Sequence, residues 1–324
     1  MSRVRFDVVC VGEALVDFLP SRPGGPVHET RLWKMCPGGA PANVAIGVAR
    51  LGGRSALAGV VGDDELGRFL RDALGAEGVD VRALRPTTRG KTGIGFVAID
   101  QRGERSFIFY RDRSAESFLD ARETPAALLR DTRIVHFGTN SLHTPRARRA
   151  VLEAARRAQR LGVITSCDPN LRLKMWRDPR VLQKLIRDLA RHCAVMKLSD
   201  EEMEFVTGAR TVSRALEVMA GWGVSLAVVT RGPRGAVYRF RGVETSVPAP
   251  RVRVVDTTGA GDGFNAGFLH ALSRTCANRG ELEAAPAAVI REAVRRGCRV
   301  GSRVVTRIGA VAGLPYASAR RSRR

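Results

Sequence analysis

The chain has 324 residues, 44% of them apolar, enough for one large α/β domain or two smaller ones. Its formal charge is +22, which first points to a polyanion partner. Aromatic residues make up only 6%, there is no zinc-finger spacing or RNA-recognition signature, and the arginines are spread along the chain, so the excess reads as a solvated arginine-rich surface with no dedicated nucleic-acid partner. Arginine runs such as 146–149 and 295–296 fall on helix-like segments, and the basic end, 317–324, reads as a disordered tail. No apolar run approaches the length of a membrane span, and residues 1–5 lead straight into a strand-like stretch without a signal-peptide core. The cysteines (Cys10, Cys36, Cys167, Cys193, Cys276 and Cys298) are scattered and form no CxxC pair, as expected of reduced thiols in a cytoplasmic protein.

The first expected strand, 6–11, runs into Gly12-Glu13-Ala14-Leu15-Val16-Asp17. Asp17 follows it at the start of a Pro/Gly-rich excursion, where a carboxylate serves equally as a turn cap or as a ligand for two hydroxyls. Next, Gly38 and Gly39 precede a helix-like stretch containing Asn43, with Val44, Val48 and Leu51 on one face. Residues 62–67 read as a turn into another helix. Alternation between Thr92 and Arg111 predicts a β-hairpin turning at 101–104, an insertion in an α/β chain. Arg111, at its exit, is either a charged surface residue or one that faces substrate.

Beyond it, strands at 134–137, 163–167, 195–198 and 226–230 alternate with helices at 146–161, 181–190 and around 216–219. This rhythm predicts a mostly parallel sheet with helices on both faces and ligands beyond the C-terminal strand ends. Polar candidates stand there: Asp168, Asn170 and Arg172 after one strand, Lys197, Ser199 and Glu202 at a second, Thr230, Gly232 and Gly235 at a third. Arginine's planar fork and asparagine's amide suit sugar or phosphate oxygens.

After an extended β-branched stretch, 252–255, the chain reads Asp256-Thr257-Thr258-Gly259-Ala260-Gly261-Asp262-Gly263 and enters a helix carrying Phe264, Phe268, Leu269 and Leu272. Free N–H groups and the helix dipole meet at such a point and favour an anion. A carboxylate beside an anion hole makes chemical sense if it takes a proton, which suits phosphoryl transfer to a hydroxyl with Asp262 as base. No Walker A string and no GxGxxG after the first strand is present, which disfavours P-loop kinases and Rossmann dehydrogenases.

The 256–267 string, completed by Ala266 and Gly267, resembles the C-terminal signature of the PfkB (ribokinase-like) carbohydrate kinases, and the glycine-rich run from Cys36 through Gly62 resembles their N-terminal signature. The likeness spans roughly residues 6–316. It implies a ribokinase-like fold as one kinase domain, 1–316, with a small β-sheet lid built from about 18–36 and 91–114, and with ATP and Mg2+ as cofactors. It implies Asp262 as catalytic base and Gly259, Ala260 and Gly261 as the anion hole. Asp17, Gly38, Gly39, Asn43, Arg111, Asn170 and Arg172 would meet the sugar. Lys197, Glu202, Thr230, Gly232, Gly235, Thr306, Gly309 and Ala310 would line the nucleotide, with Glu202 ordering magnesium through water and Asp256 and Thr258 holding a monovalent cation such as K+. The chain departs from the pattern at Ser199, where asparagine is usual, at Arg231, where an apolar residue is usual, and at Cys298, where asparagine is common. The strings GEALVDFLP, DPNLRLKMW and KLSDEEMEFVTG look most like fructokinases. The alternatives are a 2-keto-3-deoxygluconate kinase, in which Tyr110, Arg111 and Arg172 clamp a carboxylate, and a catalytically idle member associated with nucleic acid. Lids of this family often pair between subunits, so a homodimer through the lid is the expected assembly.

Overall fold

The computed structural model describes residues 5–21, 26–99 and 105–317. Part of the excursion (22–25), the hairpin turn (101–104) and the basic end from 318 lie outside them.

The strands are β1 (Phe6–Val11), β2 (Leu15–Pro20), β3 (Trp33–Gly38), β4 (Ser55–Gly62), β5 (Leu84–Thr87), β6 (Ile94–Ile99), β7 (Arg105–Tyr110), β8 (Thr132–Phe137), β9 (Ile164–Cys167), β10 (Val195–Ser199), β11 (Leu226–Thr230), β12 (Ala236–Phe240) and β13 (Val243–Val247). The helices are α1 (Ala40–Arg50), α2 (Glu65–Ala76), α3 (Ala126–Arg130), α4 (Pro145–Arg160), α5 (Pro179–Ala190), α6 (Asp200–Thr207), α7 (Val212–Gly221), α8 (Ala260–Thr275), α9 (Arg279–Ala284) and α10 (Ala287–Val304).

Nine strands form the main sheet in the order β13-β12-β11-β10-β9-β8-β1-β4-β5. From β11 to β5 every pairing is parallel, and β12 and β13 add an antiparallel edge. A parallel sheet is covered on both faces, so its strands are apolar without alternation. β1, β4 and β9 are buried along their whole length. One face packs on α1, α8 and α10 through residues such as Val44, Phe268 and Val294. The other packs on α4, α5, α7 through Val151, Leu185 and Leu216. Small residues set the spacing on the first face. A side chain at Gly47 would overlap Ala266, and one at Gly267 would lie 2.7 Å from the Arg296 carbonyl. Ala266 and Gly267, the last residues of the C-terminal signature, are therefore packing residues that bring α1 and α10 against α8.

The lid is a separate four-stranded sheet, β3-β2-β6-β7. Its β6–β7 pair is the expected hairpin. Of the two readings of Asp17, the turn cap falls away: the chain enters the lid only three residues after β1, and Asp17 sits inside β2, in register with Cys36 and Gly95. The lid strands thus begin at Leu15 rather than near 18. Residues 252–255 join neither sheet and instead run beside the end of α10, where Val255 N–H donates to Val305 O at 2.8 Å.

Candidate active site

The N-terminus of α8 is the centre of the site. Gly259, its cap, has φ 76°, and a side chain there would lie 2.6 Å from Ala310 Cα, so both conformation and space require glycine. Asp256 holds the loop in shape: Oδ1 accepts from Thr258 N–H at 2.7 Å and Oδ2 accepts from Gly309 N–H. This carboxylate brings Thr306, Gly309 and Ala310 beside the signature loop, as expected. Helix geometry leaves the first-turn amides without intrahelical partners. Of the three amides expected in the anion hole, that of Ala260 turns back to Thr257 O at 3.2 Å.

Asp262 lies in that first turn and is 7% exposed. Its Oδ2 accepts from Asn43 Nδ2 at 2.8 Å, a bond between α8 and α1. Burial pushes the Asp262 carboxyl up to about 6; the Asn43 bond opposes this, the Asp168 charge adds to it, and Lys197 and Arg172 pull it back. Asn43 is therefore a support for Asp262 first, with its Oδ1 buried and without a hydrogen-bond partner.

On the lid side, the Asp17 carboxylate occupies the space where side chains at Gly38 and Gly95 would stand. Gly38 thus makes room for a carboxylate. Gly39, with φ 98°, leads into α1, and a side chain there would lie 2.6 Å from Glu13 O. Arg111 is not a surface residue. It is buried, with Nε donating to Glu116 Oε1 at 2.7 Å, Nη2 to Asn140 O at 2.9 Å, and Nη1 3.7 Å from Met175 Sδ. Burial works against its charge, but Glu116, Glu13 and Asp17 together raise its pKa above the ordinary arginine value. Tyr110 points outward, 63% exposed. Asn170 adopts φ 46°, and its N–H donates to Asp168 Oδ1 at 3.0 Å. Arg172 is exposed, with Nη1 on Leu171 O at 2.9 Å.

Behind the anion loop lies a buried ion pair. Lys197 Nζ donates to Asp168 Oδ2 at 2.8 Å, and Asn265 Nδ2 donates to the same oxygen at 2.7 Å. A side chain at Gly261 would lie 3.2 Å from Lys197 Nζ, which places this ammonium directly under the loop. His136 lies nearby with Nδ1 3.1 Å from Ser166 Oγ, and burial holds it down to about 4, so it is neutral at pH 7. Glu202 is engaged on both oxygens: Oε2 accepts from Ser199 N–H at 2.8 Å and Oε1 from Leu171 N–H at 2.6 Å. Ser199 thus still provides the backbone cap that Glu202 closes, whatever its side chain, and Glu202 braces the 168–172 loop. Thr230 Oγ1 donates to Leu198 O at 3.3 Å, and Gly235 (φ 84°) packs against Val247 O and Ala249 N, while Gly232 (φ 54°) has open space. Arg231 enters the turn by its backbone, donating to Gly235 O at 2.7 Å. Cys298 is buried, its thiol pushed up to about 11 by burial, and Sγ lies 4.0 Å from Val247 O, so it offers packing where an asparagine would offer an amide.

Residues 5–317 match the pfkB family carbohydrate kinase profile. The chain belongs to the PfkB family of carbohydrate kinases. It is a phosphotransferase whose acceptor is a sugar hydroxyl. It is 37% identical over 313 residues to Fructokinase-2 of Solanum habrochaites, an alignment covering 96% of this chain and 94% of the relative. Its fold is similar to that of a fructokinase from Xylella fastidiosa crystallised with bound ATP (TM-score 0.87, 32% identity, 95% of each chain covered). It is also similar to a double-mutant fructokinase from Vibrio cholerae O395 in fructose-, ADP- and potassium-ion-bound form (TM-score 0.85, 33% identity, 98% of each chain covered).

Asn265 and His136 escaped sequence reasoning. Asn265 lies one helical turn beyond Gly261, and that spacing on α8 was the available signal. His136, inside a strand, carried none.

The raised Asp262 carboxyl makes this PfkB kinase less stable at neutral pH than it would otherwise be. A carboxyl whose folded pKa is raised contributes stability that is complete below its ordinary value of 3.8 and is lost as pH rises through about 6. Asp262→Asn removes that loss, so in urea denaturation at pH 8 the variant should be more stable by about 3 kcal/mol, with the gain vanishing toward pH 4. Equal midpoints at pH 8 would show that the burial penalty is absent.

Proposed function

We propose that this kinase is an ATP-dependent fructokinase, transferring the γ-phosphoryl group of ATP to the 6-hydroxyl of D-fructose. The observation that carries it is the buried Asp262 carboxyl, raised to about 6, at the N-terminus of α8. The fructokinases among its relatives supply the sugar. Asp17, with two acceptor oxygens, and Asn43 Oδ1 orient the fructose, while Asn170 and Arg172 close the pocket from the 168–172 loop. The 6-oxygen forms its bond to the γ-phosphorus as the bond from that phosphorus to the β–γ bridging oxygen breaks. The hydroxyl proton passes to Asp262, and ADP leaves. A carboxyl near 6 is mostly ionised at neutral pH yet more basic than an ordinary carboxylate, which suits general-base work. The Gly261 and Asp262 amides, with Lys197 beneath them, stabilise charge on the transferred group. The lid keeps out water, the competing acceptor.

Magnesium brought by the nucleotide would supply charge neutralisation at the phosphate oxygens. Among the described residues no three His, Cys, Asp or Glu side chains group as a ready metal site, and Glu202, already accepting two N–H bonds, would hold the metal through water. Asp256, whose oxygens accept the Thr258 and Gly309 N–H groups, would with Thr258 hold a monovalent cation such as K+ beside the same loop. Thr230, Gly232, Gly235, Thr306, Gly309 and Ala310 line the nucleoside.

Arg111 counts against the keto-acid reading, because its guanidinium is engaged by Glu116, Asn140 O and Met175. The intact Asp262 centre counts against an idle, nucleic-acid-bound role. The free thiols favour the cytoplasm. A homodimer through the lid is supported by a row of apolar side chains, Met35, Phe18, Phe96 and Ile108, in register across all four lid strands. Met35 and Ile108, at its ends, are exposed.

With Mg-ATP, ADP release should be fast with fructose and at least about tenfold slower with 2-keto-3-deoxygluconate at matched concentration. The reverse preference would overturn fructose while leaving the kinase. In sedimentation the chain should run as a dimer, and Ile108→Asp should convert it to a monomer; a wild-type monomer would exclude the lid contact.

A further inference from the structure

Buried polar atoms without partners gather beside the expected sugar site. Glu13 Oε2, Glu116 Oε2, Asn140 Oδ1 and Ser141 Oγ have no hydrogen-bond partner, although Glu13, Glu116, Asn140 and Ser141 are each more than nine-tenths buried. Leaving such an atom unmet costs about 1–3 kcal/mol, so a concentration of them marks a place that a ligand completes.

Their positions form one wall. Glu13 leaves the end of β1, and its Oε2 lies 4.0 Å from where a side chain at Gly138 would begin. Ser141 Oγ lies 3.6 Å from the corresponding point on Gly12. Arg111 ties the lid to this wall by holding Glu116 Oε1 and Asn140 O. On the lid, a side chain at Gly93 would meet both Glu116 oxygens, at 3.0 and 3.2 Å, and one at Gly95 would meet Asp17 Oδ1 at 2.9 Å. Gly93 lies immediately before β6 and Gly95 within it, so the Glu116 and Asp17 carboxylates sit against neighbouring positions of the same segment. Glu13 also feels the charge of Asp262, and Arg111 that of Asp17.

We propose that Glu13 and Glu116, with Ser141, read the hydroxyls at the end of the sugar remote from the transferred phosphoryl group, and so select a neutral polyol over an acidic one. The inference rests on the fructokinase reading and deepens it. The open atoms on the two glutamates are carboxylate oxygens, which accept hydrogen bonds from sugar hydroxyls. The carboxylate of a keto acid would bring a third anionic group to this wall, and the nearby Arg111 already serves Glu116.

Glu13→Gln keeps the size and exchanges one acceptor for a donor. Its KM for fructose should rise about tenfold, with KM for ATP unchanged, and its fructose-to-keto-acid ratio of kcat/KM should fall by at least the same factor. 2,5-Anhydro-D-mannitol, which lacks the anomeric hydroxyl, should lose less from the substitution than fructose does. Should Glu13→Gln not fold, Ser141→Ala should show the same split in smaller measure. If the wild type fails on fructose, the fructokinase reading falls. If it turns over fructose and both variants keep its KM and its substrate ratio, the wall is filled by water and this inference alone is overturned.

Discussion

A carboxyl group held out of water at the N-terminus of a helix is the constraint on which the rest of this molecule depends. Desolvation raises the Asp262 carboxyl, and only local supports keep it ionisable near neutrality. The Asn43 amide is the first of these, and it belongs to a helix 219 residues earlier in the chain. For that bond to form, α1 must lie close against α8, and this explains the small residues at their contact. Gly47 faces Ala266, and Gly263 and Gly267 face Val304 and Val300 of α10. The signature glycines are thus as much about bringing helices to the carboxyl as about freeing backbone amides.

The supports continue below and beside the loop. Lys197 cannot sit unpaired in the interior, and Asp168 and Asn265 complete it beneath Gly261. Asp256 uses both oxygens to fasten the 306–310 turn to the loop. Glu202 fastens the 168–172 loop to the start of α6. Each of these carboxylates joins segments that the sheet topology delivers separately, so the site is a meeting of strand ends held by charge-assisted hydrogen bonds. The lid contributes in the same manner through Arg111, whose buried pairing with Glu116 anchors the exit of β7 over the end of β8.

Much of this was legible in the residues. The alternation of strands and helices from β8 to β11 announced a parallel sheet, and the loop feeding α8 announced an anion site because free N–H groups and the helix dipole meet there. What was hidden depended on contacts distant in sequence. Nothing near Asn43 says that it donates to Asp262. Asp17 looked like a turn residue because the chain leaves β1 and enters the lid within three residues, too short a gap for a turn signal to separate them. The pattern left Arg111 open between a surface charge and a substrate ligand because its acidic partner lies in an irregular segment whose path the pattern does not reveal. Glu202 looked like a metal ligand, whereas its geometry is first that of a helix cap.

The pH dependence of kcat/KM for fructose, in the wild type and in Asn43→Ala, tests the central claim most directly, because it reports the ionisation of the free enzyme's essential base. The account predicts an acid limb with a midpoint at about 6 in the wild type. It predicts a higher midpoint in Asn43→Ala, which loses the donor that favours the ionised carboxylate. A rate that stays level from pH 8 down to about 4.5, or a midpoint that Asn43→Ala leaves in place, would contradict Asp262 as the buried base held by Asn43.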